Sequence, residues 1–112
     1  MTPAPGGPAV CYRVSHVTGD TSQPSLLLRL EPGRDSGKVF EVTPLPVYGS
    51  WFRLGRDSVA IVVGHTILDR IALARGAAGV EGYSTWSSDE VTVGRPNPVH
   101  HDLLSAVRVA CP

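Results

Sequence analysis

Little in this chain marks a membrane, a nucleic acid or a secretory route. No apolar run approaches the ~18–20 residues of a membrane span. Lys and Arg number 10, as do Asp and Glu, so the net charge is zero. That balance argues against binding driven by gross electrostatics, whether to nucleic acid or to an anionic bilayer. The opening Met1-Thr2-Pro3-Ala4-Pro5-Gly6-Gly7-Pro8 has neither the basic nor the apolar stretch of a secretory signal. The expected location is therefore cytoplasmic (host cytoplasm, or the virion if phage-encoded). Only two cysteines occur, Cys11 and Cys111, with no C-x-x-C or zinc-finger spacing. The reading favoured for them is two separate buried thiols. The alternative is one bridge closing a loop of about 100 residues, worth up to ~4–5 kcal/mol. Lys38 is the single lysine against nine arginines, the codon usage of a GC-rich bacterial or phage genome. No phosphate loop, dinucleotide fingerprint or G-x-S-x-G elbow is present, and no cofactor is expected.

What the chain does have is enough apolar residue, 42% of 112, to fill one core, and too much to stay disordered. Residues 1–8 read as a Pro/Gly-rich arm and 9–112 as a single globular domain. Val10 to Val17 alternates with period two, a strand. Ser25 to Glu31 and Lys38 to Thr43 flank the Pro32–Gly37 turn as a hairpin. Pro44 and Pro46 then interrupt regular pairing. Ser50 to Leu54 and Ser58 to Val63 flank Gly55-Arg56-Asp57. Val59-Ala60-Ile61-Val62-Val63 is apolar throughout, as in a strand covered on both faces. Tyr83 to Trp86 and Glu90 to Val93 read as short strands.

Two segments change period. Thr66 and Asp69 fit a capping box, and Ile67, Leu68, Ile71 and Ala74 follow helical spacing up to Gly76, which predicts a helix over 66–75. Asn97 as N-cap and Pro98 at the first turn, followed by Val99, Leu103, Ala106 and Val107, predict a second helix over 98–109. The expected fold is α+β: a mainly antiparallel sheet of five to six strands, with both helices on one face. The alternative is all-β, with 66–75 extended.

Several residues carry candidate chemistry. His100, His101 and Asp102 are metal-ligand types, but neighbours on a helix diverge by about 100°, so no metal site is expected. His65 lies at a strand-to-helix junction, where a general base is well placed. Ser84 and Asp89 belong to a hydroxyl- and carboxylate-rich stretch that also contains Trp86. His65, Ser84 and Asp89 are thus the catalytic candidates. The binding candidates are Tyr48, Trp51, Phe52, Arg53, Arg56 and Trp86, since aromatics and Arg dominate interface hot spots.

The segments Leu30-Glu31-Pro32-Gly33, Gly37-Lys38-Val39-Phe40 and Arg53-Leu54-Gly55-Arg56-Asp57 resemble the opening of a forkhead-associated domain, which reads phosphothreonine. That resemblance would give Arg56 the role of the motif's arginine. It covers 30–57 only; the family's Ser-x-x-His and Asn-Gly segments do not follow.

The function expected is a small protein-binding or assembly module without catalytic activity, a subunit of a larger bacterial or phage complex. It would act through an exposed sheet edge, the aromatic 48–52 segment and the arm. A protein partner or self-association is expected, and no membrane or nucleic acid. The alternatives are a small hydrolase or transferase using His65 or His100/His101, and a weak nucleic-acid binder through clustered arginines.

Overall fold

The computed structural model describes residues 1–19, 21–22, 25–43, 47–64, 67–76, 79–88 and 100–112. At 41–43, 47, 67–69, 86–88 and 100 it describes the backbone alone. Eight strands follow one another: β1 Val10–His16, β2 Leu26–Leu30, β3 Ser36–Thr43, β4 Val47–Gly55, β5 Ser58–Gly64, β6 Ile67–Gly76, β7 Gly79–Ser88 and β8 His100–Val109. Each pairs antiparallel with the next, and β8 returns to pair with β1, so the sheet closes into an up-and-down barrel. No helix occurs among the described residues.

The α+β reading is thereby overturned, and both predicted helices are strands. Over Ile67–Gly76 the small Ala74 counted as apolar in the helical pattern. In the barrel Ala72 and Ala74 point outward and stand exposed, while Ile71 and Leu73 beside them are buried. A period-two pattern with alanine on its wet face mimics an amphipathic helix. Over His100–Val109 the capping signals at Asn97 and Pro98 lie outside the described residues. The segment itself alternates: Leu104 and Ala106 are buried, Ser105 and Val107 exposed. It pairs along Cys11–His16 on one side and Val80–Trp86 on the other, and two ladders outweigh local propensity. The expected sheet edge is absent as well, because closure leaves none.

Inward side chains fill the barrel. Val10, Tyr12 and Val14 meet Leu28, Leu30, Val39, Trp51, Val59, Ile61, Val63, Ile71, Leu73, Leu104 and Ala106 in one cluster. Eight strands leave an interior just wide enough for side chains, and here it is a packed core. The largest member, Trp51, is fully buried and donates its indole N–H to the Glu31 carbonyl at 2.7 Å. Its room comes from Gly37 across the β3–β4 ladder, where a Cβ would collide with Trp51 Nε1.

The reading of β5 as covered on both faces also fails. Val59, Ile61 and Val63 are buried inward, but Ala60 and Val62 face outward half-exposed, with no second layer over them among the described residues.

The two cysteines are bridged, against the reading of separate thiols. Cys11 on β1 joins Cys111 just beyond β8, with Cα atoms 5.2 Å apart at a sequence separation of 100. The bridge sits on the β1–β8 seam, where Cys11 is already opposite Val109. The arm also folds back on its own barrel. Met1 packs against the core, Pro3 is buried, and the Tyr12 hydroxyl donates to the Met1 carbonyl at 2.9 Å.

Replacing both cysteines by alanine is expected to cost about 2–5 kcal/mol and to lower Tm by roughly 8–20 °C in calorimetry. An unchanged Tm would show that the seam holds without the bridge. Gly37→Ala is expected to destabilise by about 1–3 kcal/mol through overpacking in urea unfolding. Gly76→Ala, whose added methyl meets only the Gly79 carbonyl at 3.6 Å, is expected to stay near wild type.

Candidate functional site

Alternation along each strand sorts the candidate residues into barrel interior and outer face. Trp51, a binding candidate, is core. Its neighbours on β4 point the other way: Tyr48 is 67% and Phe52 46% exposed. Tyr48 meets Phe40 of β3 edge-to-face, ring centroids 4.9 Å apart, the geometry aromatic pairs prefer. Between Tyr48 and Phe52, over Ser50 and Val62, lies a shallow hollow of about 310 Å³ with a mostly apolar lining.

The strand registers extend this surface. Phe52 is opposite Ala60, Ala60 opposite Ala72, Ala72 opposite Tyr83, and Tyr83 opposite Leu103. These five outward residues form one apolar row across β4–β8, with small alanines between an exposed Phe and an exposed Tyr. Leu54 and Val107, 61% and 62% exposed, add to the same outer face. Sequence reading found the Tyr48–Phe52 end of the row. It missed Ala60, Ala72 and Leu103, because only the register reveals that they align with Tyr83.

Of the three catalytic candidates the structure describes Ser84 alone. Ser84 faces inward and is 1% exposed, so no substrate reaches it. His65 and Asp89 lie outside the described residues. His101 is exposed on the outer face, its Nδ1 3.3 Å from Thr85 Oγ1. His100 precedes it on β8, so the two are at register positions on opposite faces of the strand. Trp86 sits on β7 with its backbone opposite Asp69 and His100.

Asp102 turns into the barrel end, where His16 Nε2 is 3.7 Å from its carboxylate. Ser84 is directly opposite Asp102 in the ladder. The β1–β2 loop folds over this group: Thr18 Oγ1 accepts the Leu103 N–H at 2.8 Å. Gly19, at φ +77°, passes so close that a Cβ would overlap the Asp102 carboxylate. This is a closed polar layer inside the barrel. The signal for His16 was the Val10-Tyr12-Val14-His16 alternation. Among the described residues no three His, Cys, Asp or Glu side chains come together as a metal site.

The opposite end of the barrel holds the chain termini, the 31–35 and 55–57 turns, and the ends of β4, β6 and β8. Arg53, Arg75 and Arg108 lie there at inward positions, two residues beyond the core residues Trp51, Leu73 and Ala106. Burial, then Arg75, Arg108 and Arg53, hold the Met1 amino group below its usual pKa, against an opposing pull from Asp57. Burial pushes the Tyr12 phenol up, against Arg108 and Arg75. Arg56 stands exposed in the β4–β5 turn.

No family model, curated protein or solved structure matches the chain. The resemblance over 30–57 therefore finds no family behind it, and the described residues of that span form the end of β2, all of β3 and β4, and the 31–35 and 56–57 turns.

Tyr12 generates a pH prediction. A phenol whose folded pKa is raised contributes stability below the unfolded value of about 10, and that contribution is lost as pH climbs through the folded value. Tyr12→Phe is expected to lose about 1 kcal/mol at pH 7 with the hydrogen bond to Met1, and to show a shallower alkaline fall above about pH 10. Parallel alkaline curves in urea titrations of the two proteins would refute the assignment.

Proposed function

We propose that this chain is a non-catalytic assembly module that packs the outer face of β4–β8 against a second copy of itself. The observation that carries the reading is the in-register row Phe52, Ala60, Ala72, Tyr83, Leu103. With both ladders of every strand already used, association falls to side-chain faces rather than strand addition. Four inter-strand steps of about 4.8 Å make the row about 19 Å wide. A stable interface of about 800 Å² per partner is about 28 Å across, so the row supplies its centre. Alanines between aromatics make a saddle that the same saddle on another copy fits, the self-complementarity a two-fold interface needs. A chain of zero net charge brings no like-charge repulsion to the approach.

The exterior also supports a soluble setting. Arg13, Arg70 and Glu81 stand exposed on outward strand positions while the interior is apolar, the reverse of a membrane-spanning barrel. Among the described residues, no helix is long and apolar enough to cross a membrane. Of the two locations expected from sequence, the Cys11–Cys111 bridge favours an oxidising one such as a virion surface over the cytosol.

Sedimentation velocity across a concentration series tests the reading. Wild type is expected to sediment faster as concentration rises. Ala60→Arg, with a charge at the centre of the row, is expected to remain a monomer with an unchanged Tm. A wild-type chain that stays monomeric up to millimolar concentration would sink the proposal.

A further inference from the structure

The neutral total conceals a segregated surface. Arg53, Arg75 and Arg108 come from β4, β6 and β8, alternate strands that all end at the mouth holding the chain termini. Each is opposite an inward-facing residue of the neighbouring strand: Val59, Val80 and Tyr12 respectively. Inward parity turns the three side chains over the mouth rather than away from it. All three are exposed, and among the described residues no carboxylate lies within ion-pair distance of any of them. The rim that carries them is fixed by backbone hydrogen bonds: Arg53 N–H donates to the Asp35 carbonyl at 2.8 Å, and Arg75 N–H to the Asp57 carbonyl at 2.9 Å. Below them Met1 and Pro3 close the barrel, and Tyr12 ties Met1 in place.

The acids at this end are few. Asp57 is the carboxylate whose field reaches the Met1 amino group alongside the three arginines. Asp35 lies in the 31–35 turn beside Arg34, and Glu31 is engaged by Arg29 at 2.8 Å. The three guanidiniums and the Met1 amino group act on one another here with Asp57 as the opposing carboxylate, a local excess of positive charge. Packing like charges together costs folding free energy, and a bound dianion would relieve that cost.

We propose that the Arg53–Arg75–Arg108 mouth is a binding site for a compact dianion, a phosphate monoester group. Guanidinium forks match phosphate oxygens two at a time. A phosphate monoester carries close to two negative charges at neutral pH, the sign and compactness that a cluster of guanidiniums favours. The plug at Met1 and Pro3 limits the site to the headgroup itself, so the rest of the ligand stays outside. Such a group belongs either to a soluble ester or to a lipid headgroup. The site is at the end of the barrel and the apolar row is on its side, so the two can be tested separately.

Isothermal titration of the full chain with phenyl phosphate is expected to give saturable one-to-one binding. Arg75→Gln and Arg108→Gln are each expected to weaken it about tenfold, with Tm unchanged. Arg70→Gln, on the outer face of β6, is expected to leave it unchanged. Flotation with phosphatidylcholine vesicles, with and without phosphatidic acid, separates the sources. Retention on the acidic vesicles that phenyl phosphate competes away assigns the group to a lipid headgroup; no retention assigns it to a soluble ester. Absence of saturable heat, equal loss in Arg70→Gln, or an affinity for oligonucleotides that grows with their length would each overturn the proposal, the last in favour of a diffuse polyanion surface.

Discussion

Everything in this barrel depends on the return of β8 to β1. Seven of its eight ladders join strands adjacent in sequence and form locally. The eighth brings together segments that the whole chain separates, and its loop-closure entropy is the largest in the fold. Without it β1 and β8 would be free edges, with rows of unpaired N–H and C=O groups open to other chains. The seam is secured twice, by the ladder from Cys11–Val109 to His16–Leu104 and by the Cys11–Cys111 bridge at its end. The bridge acts chiefly on the unfolded chain, which it keeps from separating the two strands it must later pair.

Closure also decides what each face of a strand can do. A barrel of this size spends its inward positions on a core, and the described ones here form a single cluster. Trp51 illustrates the constraint: it fits only because Gly37 gives up its side chain opposite it. Ser84 illustrates the consequence, since a hydroxyl that faces inward is sealed from solvent. At one end of the barrel His16 and Asp102 meet against Gly19; at the other, Met1 and Pro3 pack beneath three arginines.

The legible part of the sequence was the part governed by local alternation. Val10 to His16 alternates with period two, the hairpin around Pro32–Gly37 and the apolar run 59–63 are short and bounded by turn residues, and all are strands, although the run is buried on one face alone. The segments at Ile67–Gly76 and His100–Val109 were misread because Ala74 and Val107, apolar on a hydropathy scale, filled out helical stripes while facing outward on the barrel. The cysteine pairing was illegible for a different reason, since nothing local brings residue 11 to residue 111 until the barrel closes. The site divides in the same way. Tyr48 and Phe52 stood out as aromatics, while Trp51 beside them could not be assigned to core without knowing the parity of the strand. Ala60, Ala72, Tyr83 and Leu103 become one surface only through register, a property of pairs of strands rather than of any one segment.

Net charge taught the least, and the reason is physical. Zero is a sum over the whole chain, whereas an ion responds to the field within about a Debye length, roughly 8 Å at physiological salt. Antiparallel alternation places the ends of β4, β6 and β8 at one mouth, so arginines 22 and 33 residues apart in sequence share a neighbourhood. The acids that balance them in composition need not do so in space. Glu81 points outward, and Asp102 lies at the other end beside His16. A neutral chain thus presents a cationic rim, because the barrel's up-and-down topology sorts by strand end what composition averages away.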